Sequence, residues 1–230
     1  MSQYLKGMYH GLPICIGYLS VSFGFGLLAV KSGLNIWEAT LISLTNLTSA
    51  GQIAGVGIIA ASGTVVEMIL TQLIINIRYS LMAISLTQKL DDSFTTFQRM
   101  IVSFGITDEV YALAASYPLD LNKKYMKGLI ITPIIGWVGG TLLGASAGAA
   151  LPAFITDSLG ILLYGMFIAI IIPPCKKQKS LICVVTIAAV ISVLLKYFAP
   201  FISGGFSVII SAVSSAVISA LLFPLKEDAK

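Results

Sequence analysis

Charge is what this chain has least of. Asp, Glu, Lys and Arg make up 10% of its 230 residues, hydrophobic types make up 57%, and mean hydropathy is +0.95. Soluble domains carry about 25% charged residues, so this composition excludes an ordinary water-soluble fold and indicates a polytopic membrane protein. Histidine is nearly absent: His10 is the only one. With no zincin, GxSxG, P-loop or paired-cysteine pattern either, a hydrolytic or metal-dependent enzyme is not expected, and neither is a metal or a cofactor. Cys15, Cys175 and Cys183 lack metal-ligand spacing, and their odd number argues against a disulfide framework. The net charge of +4 does not indicate nucleic acid, because the lysines sit in short loops between apolar runs and form no basic face. Long polar linkers are also missing, so residues 1–230 read as a single integral membrane domain.

What is present is a series of apolar runs of bilayer length: Leu12–Val30, Ile36–Ala61, Thr64–Thr87, Ile101–Ser116, Met126–Leu151, Ser158–Ile172, Leu181–Phe198 and Phe206–Phe223. The expected fold is an all-α transmembrane bundle of seven or eight segments. The fourth run is short and contains Asp108 and Glu109, so it reads either as a full span or as a re-entrant or tilted element. Lys6 precedes the first run, but no small-residue cleavage pattern follows it, and Leu12 onward reads as a retained span. Loop lysines at 123, 124, 127, 176, 177 and 179 fall on the cytoplasmic side whether eight spans place both ends inside or seven spans place the N-terminus outside. A faint internal echo links Gly33-Leu34-Asn35-Ile36-Trp37 with Ala150-Leu151-Pro152-Ala153-Phe154.

The second run is interrupted by Thr45-Asn46-Leu47-Thr48-Ser49-Ala50-Gly51-Gln52, with Gly55 and Gly57 beyond. Glycine costs about 1 kcal/mol against alanine inside a helix, and Ser, Thr and Asn offer the backbone competing bonds. The run from Thr45 to Gly57 is therefore expected to be a broken helix, whose freed N–H and C=O groups at membrane depth can bind an anion and a cation. The alternative is a small-residue packing face built on Gly51 and Gly55.

Arg78, two residues after Asn76, lies inside the third run. A guanidinium at that depth persists only with a partner or a wet cavity, because hydrocarbon cannot solvate its donors. Asp108 and Glu109 are the expected counter-charges. On a helix they project about 100° apart, so one guanidinium need not satisfy both. The carboxylate left over, caught between desolvation and a nearby cation, can take up and release a proton or hold a substrate ammonium. The alternative is a structural ion pair that locks the bundle. Gln72, Asn76, Tyr79 and Ala83 share one face of the third helix, with Glu67, Thr71, Arg78 and Ser85 nearly opposite, so the segment is expected either to be central in the bundle or to unwind near Asn76.

Gly17-Tyr18, Phe23-Gly24, Ala50-Gly51-Gln52, Asn76-Ile77-Arg78-Tyr79-Ser80-Leu81-Met82, Thr107-Asp108-Glu109, and Trp137 with Gly144 together give a family likeness. From about Gly11 to about Leu151 the chain resembles the AzlC family of branched-chain amino acid exporters. It departs from the family in carrying Tyr79 where histidine is common, and in setting Gly51 and Gln52 side by side. The resemblance implies a multi-pass permease subunit of the inner or plasma membrane, exporting leucine, isoleucine, valine and related amino acids such as methionine. It also implies a small AzlD-type membrane subunit as partner. The candidate binding or coupling residues are Gly51, Gln52, Asn76, Arg78, Tyr79, Asp108 and Glu109. A different amphipathic substrate, or a channel or assembly subunit without turnover of its own, is the alternative.

Overall fold

The computed structural model describes residues 2–150 and 178–223, with Pro152, Ile168, Ile171, Ile172, Cys175 and Lys176 between them. Helices dominate, as the apolar runs predict. The order is α1 (Gln3–Lys31), α2 (Ile36–Thr45), α3 (Ser49–Ala60), α4 (Val65–Thr87), α5 (Thr96–Phe104), α6 (Asp108–Ser116), α7 (Lys123–Ala150), α8 (Lys179–Phe198) and α9 (Gly204–Leu222). Among the described residues α1, α4, α7, α8 and α9 are each long and apolar enough to cross a bilayer. The run Ser158–Ile172 and the second copy of the faint echo lie almost wholly outside the described residues.

Two of the expected segments are broken. The second divides at Asn46–Thr48, inside the interval where the sequence predicts it. Asn46 Oδ1 accepts from Thr48 N at 3.1 Å and from Thr48 Oγ1 at 2.6 Å, a local turn that replaces the helical ladder. The fourth run is not one helix from Ile101. A capping box of Thr95 and Gln98 starts α5 earlier, the chain leaves the helix at Gly105–Thr107, and Thr107 starts α6. Each half is 9 residues, or about 14 Å, too short to span alone. Among the described residues these two breaks resemble one another. Leu47-Thr48 precedes α3 and Ile106-Thr107 precedes α6, with Leu47 and Ile106 both buried.

The long pair α1 and α7 forms the spine. Glycines on both helices bring the backbones together: a Cβ added at Gly26 would strike the Thr141 carbonyl, and one at Gly144 would strike the Phe23 backbone. Close packing of small residues is how apolar helices associate where no hydrophobic force separates protein from lipid. The same holds for α3, where Gly51 and Gly55 face Gln72 and Met68 of α4. Break and packing face therefore coexist in α3, rather than excluding each other.

Helix α4 stays helical through Asn76 but is not central. Val66, Ile69, Leu70, Leu73, Ile77, Leu81 and Ile84 form an exposed apolar stripe along it. Its polar residues are split between two neighbours. Gln72 and Asn76 meet the α2–α3 break, while Glu67, only 4% exposed, accepts from Ser203 Oγ at 2.5 Å and Gly205 N at 2.9 Å, capping the N-terminus of α9. This explains polar groups on opposite faces without requiring a fully enclosed helix.

Candidate functional site

Elements far apart in sequence converge on a cavity of about 840 Å³. Its walls include Gly17 and Tyr18 of α1, Leu47 of the first break, Ser49 and Ala50 of α3, Arg78 and Tyr79 of α4, Thr107, Asp108 and Glu109 of the second break and α6, and Trp137 of α7. Pro13, Ile14, Val21 and Ile75 supply apolar wall. Both half-helices α3 and α6 thus turn their N-terminal ends toward the same space.

Local chemistry fixes α6 at both ends. Thr107 Oγ1 accepts from Val110 N at 3.4 Å, and the Lys89 ammonium donates to the Ala115 and Tyr117 carbonyls at 2.6 Å each, where the helix ends. Asp108 and Glu109 therefore occupy a held first turn, where the helix dipole favours negative charge.

Arg78 resolves the choice that the sequence leaves open. Its Nη1 is 2.9 Å from Asp108 Oδ2, and its Nη2 donates to the Tyr79 hydroxyl at 3.1 Å. The guanidinium carbon also lies 4.9 Å from the Tyr79 ring centroid, within cation–π range. The pair is 51% and 46% exposed, so it borders an open cavity and is not sealed in the protein interior. Glu109 is not bridged to the guanidinium. It accepts a hydrogen bond from the Tyr18 hydroxyl, which stands 2.5 Å from Thr107 Oγ1. Thr107, Tyr18 and Glu109 thus form a short hydroxyl–phenol–carboxylate chain beside the ion pair.

Of the residues singled out from the sequence, Arg78, Tyr79, Asp108 and Glu109 line the cavity. Gly51, Gln52 and Asn76 do not; they belong to the polar packing that holds the first break. Gln72 Nε2 donates to the Gly51 carbonyl at 2.7 Å, and Asn76 Nδ2 donates to Gln72 Oε1 at 2.9 Å. Gln52, almost fully buried, donates to Ser43 Oγ at 2.8 Å, and Ser43 meets Thr141 Oγ1 of α7 at 2.6 Å. These bonds tie α2, α3, α4 and α7 together around the missing helical turn.

Sequence reasoning gave no site role to Tyr18, Thr107, Ser49 or Trp137, although Tyr18, Thr107 and Trp137 stand in the motifs that carry the family likeness. The available signal was their type: a phenol or indole with a polar end inside an apolar span needs a partner. Tyr18 and Trp137 pack edge to face, with ring centroids 5.0 Å apart. Among the described residues no group of three or more His, Cys, Asp or Glu side chains is placed to hold a metal ion, and all three cysteines are free.

Comparison with known proteins finds membrane proteins. The family model described as "AzlC protein" matches residues 13–151. The chain is 28% identical over 188 residues to "Inner membrane protein YgaZ" of Escherichia coli, covering 78% of this chain and 76% of that one. It is 30% identical over 179 residues to an uncharacterized membrane protein of Archaeoglobus fulgidus, covering 77% and 78%. An uncharacterized membrane protein of Helicobacter pylori is 24% identical over 187 residues, covering 78% and 81%. No solved structure matches the chain.

Proposed function

The chain belongs to the AzlC family of membrane proteins, and from that premise we propose that it is the transport subunit of an exporter for branched-chain amino acids: leucine, isoleucine, valine and, at the edge of the range, methionine. The observation that carries the reading is the cavity in which an Arg78–Asp108 pair stands beside a carboxylate, Glu109, that this pair leaves free. A zwitterion with an aliphatic side chain needs a cation-binding group, an anion-binding group and an apolar wall. Glu109 serves the ammonium, and Pro13, Ile14, Val21, Leu47 and Ile75 serve the side chain.

The coupling follows from competition at one carboxylate. Glu109 holds either the substrate ammonium or a proton, because a protonated carboxyl has lost the charge that attracts the ammonium. A proton arriving from outside displaces the amino acid toward release, and its loss to the cytoplasm restores the empty site. Tyr18 keeps the carboxylate oriented in both states. Arg78 and Asp108 neutralise one another and hold α4 against α6.

A small AzlD-type membrane protein is the proposed partner in the cell membrane. The exposed apolar stripe of α4 is a surface compatible with either lipid or such a helix. The test is efflux of labelled leucine, isoleucine, valine and methionine from cells expressing this chain with and without the small subunit, at two external pH values. Saturable export that is faster at the lower external pH is expected. Absence of export of all four with both proteins present overturns the proposal, and co-purification tests the partner.

A further inference from the structure

We infer that Gly17 sets which amino acid side chains the cavity accepts: its missing side chain leaves a notch in the α1 wall that receives the far end of the longer aliphatic substrates. This inference rests on the amino acid reading above and deepens it. Glycine is disfavoured inside a helix, so one in the middle of α1 calls for a reason. Two reasons are usual: the close approach of another backbone, or a positive φ. Elsewhere on α1 the first is visible. A Cβ added at Gly7, Gly11 or Gly26 would crowd the Tyr125, Leu129 or Thr141 carbonyl of α7. At Gly17 neither reason applies. A Cβ there would meet no atom of the described residues within 4 Å, and its φ is not positive.

What Gly17 does face is the cavity. It is exposed, and it lines that space together with Pro13 and Val21, four residues before it and four after. Residues spaced by four lie one above another on a helix face. The α1 wall is therefore two apolar side chains with a gap between them. Gly17 also precedes Tyr18, whose hydroxyl bonds Glu109, the carboxylate assigned above to the substrate ammonium. Gap and carboxylate thus line one compartment. A Cβ at Gly17 would displace no neighbouring protein atom, so the volume it takes comes out of the cavity.

Isoleucine and valine are the informative pair, because they share a branched β-carbon and differ by a single methylene. One methylene in an apolar pocket changes specificity by about 10- to 200-fold. In Gly17→Ala the export specificity ratio, isoleucine over valine, is expected to fall about tenfold below the wild-type ratio. Gly17→Val, which fills the gap, should lower it further. Initial efflux from cells loaded with each amino acid over a range of concentrations measures the ratio. Gly139→Ala is the control: its surroundings are as open as those of Gly17, but it is not part of the cavity wall, and the ratio should not move.

Unfolding in detergent separates this role from packing. Gly17→Ala should unfold at the wild-type temperature or above it, since alanine is the better helix former. An unchanged ratio overturns the inference, whether both rates are retained or both fall together with stability. In either case the wild-type protein still exports, and the exporter reading stands. A wild-type protein that exports none of these amino acids removes that reading, and this inference with it.

Discussion

Arg78 bonds Asp108 and not Glu109, although the two carboxylates are adjacent in the chain. That selection follows from α6 being helical from its first residue, which sends consecutive side chains about 100° apart. It leaves one acid neutralised by a guanidinium and the other held only by a phenol. The consequences for the two acids should differ accordingly.

Glu109→Gln should abolish the dependence of export on external pH, because the amide neither takes up a proton nor attracts an ammonium. Asp108→Asn should slow export while preserving faster flux at lower external pH. Efflux measured at two external pH values with each variant tests this. A retained pH response in Glu109→Gln would show that the coupling proton is carried elsewhere.

Arg78→Gln and Asp108→Asn should each cost modest stability, about 1 kcal/mol or less, since both partners are half exposed and such pairs are worth little net. Their effect on export should be far larger, because the pair fixes α4 against α6 at the cavity. The double variant should recover most of the lost stability without recovering transport. Thermal unfolding in detergent beside efflux assays separates the two quantities; equal recovery of both would make the pair purely structural.

The α1–α7 spine offers a control built into adjacent residues. A Cβ at Gly140 would meet Ser22 and the Leu19 backbone, whereas one at Gly139 meets nothing within 4 Å. Gly140→Ala should destabilise by about 1–3 kcal/mol through overpacking, and Gly139→Ala should be neutral or slightly stabilising, as expected for alanine in a helix. Thermal unfolding of the two purified variants reads the difference directly.

The class of fold was legible because the apolar runs are long and charge is scarce. The first break was legible because Asn46, Thr48 and Gly51 all weaken a helix at one place. Only its outcome differs, since Gly51, Gln52 and Asn76 build the break and do not face the cavity. The second break was not foreseen: Gly105 and Thr107 are a thin signal, and the carboxylates beside them suggested only a tilted or re-entrant piece. Arg78, Asp108 and Glu109 announced themselves as charges in apolar surroundings. Tyr18 and Trp137 did not, because an aromatic residue in a membrane span is ordinary until its polar end is traced to a partner 91 residues away, as with Tyr18 and Glu109, or to none, as with Trp137.

The first break is expected to depend on Gln72 more than on any cavity residue. Its amide donates to the Gly51 carbonyl at 2.7 Å and accepts from Asn76 Nδ2 at 2.9 Å, with Asn46 Nδ2 at 3.5 Å. Gln72→Leu keeps most of the volume but removes both functions, leaving the Asn76 amide without its acceptor at a cost of about 1–3 kcal/mol and taking the side-chain donor from the Gly51 carbonyl. Gln72→Glu keeps the acceptor and loses only the donor to Gly51. Stability should therefore fall in the order wild type, Gln72→Glu, Gln72→Leu if the glutamate remains charged and takes both asparagine donors. Export should fall with it, because the position of Ser49 and Ala50 depends on the turn that this side chain supports. Unfolding in detergent and leucine efflux, measured on both variants, check the order; a fully active, fully stable Gln72→Leu would mean that Asn46 and Thr48 hold the break alone.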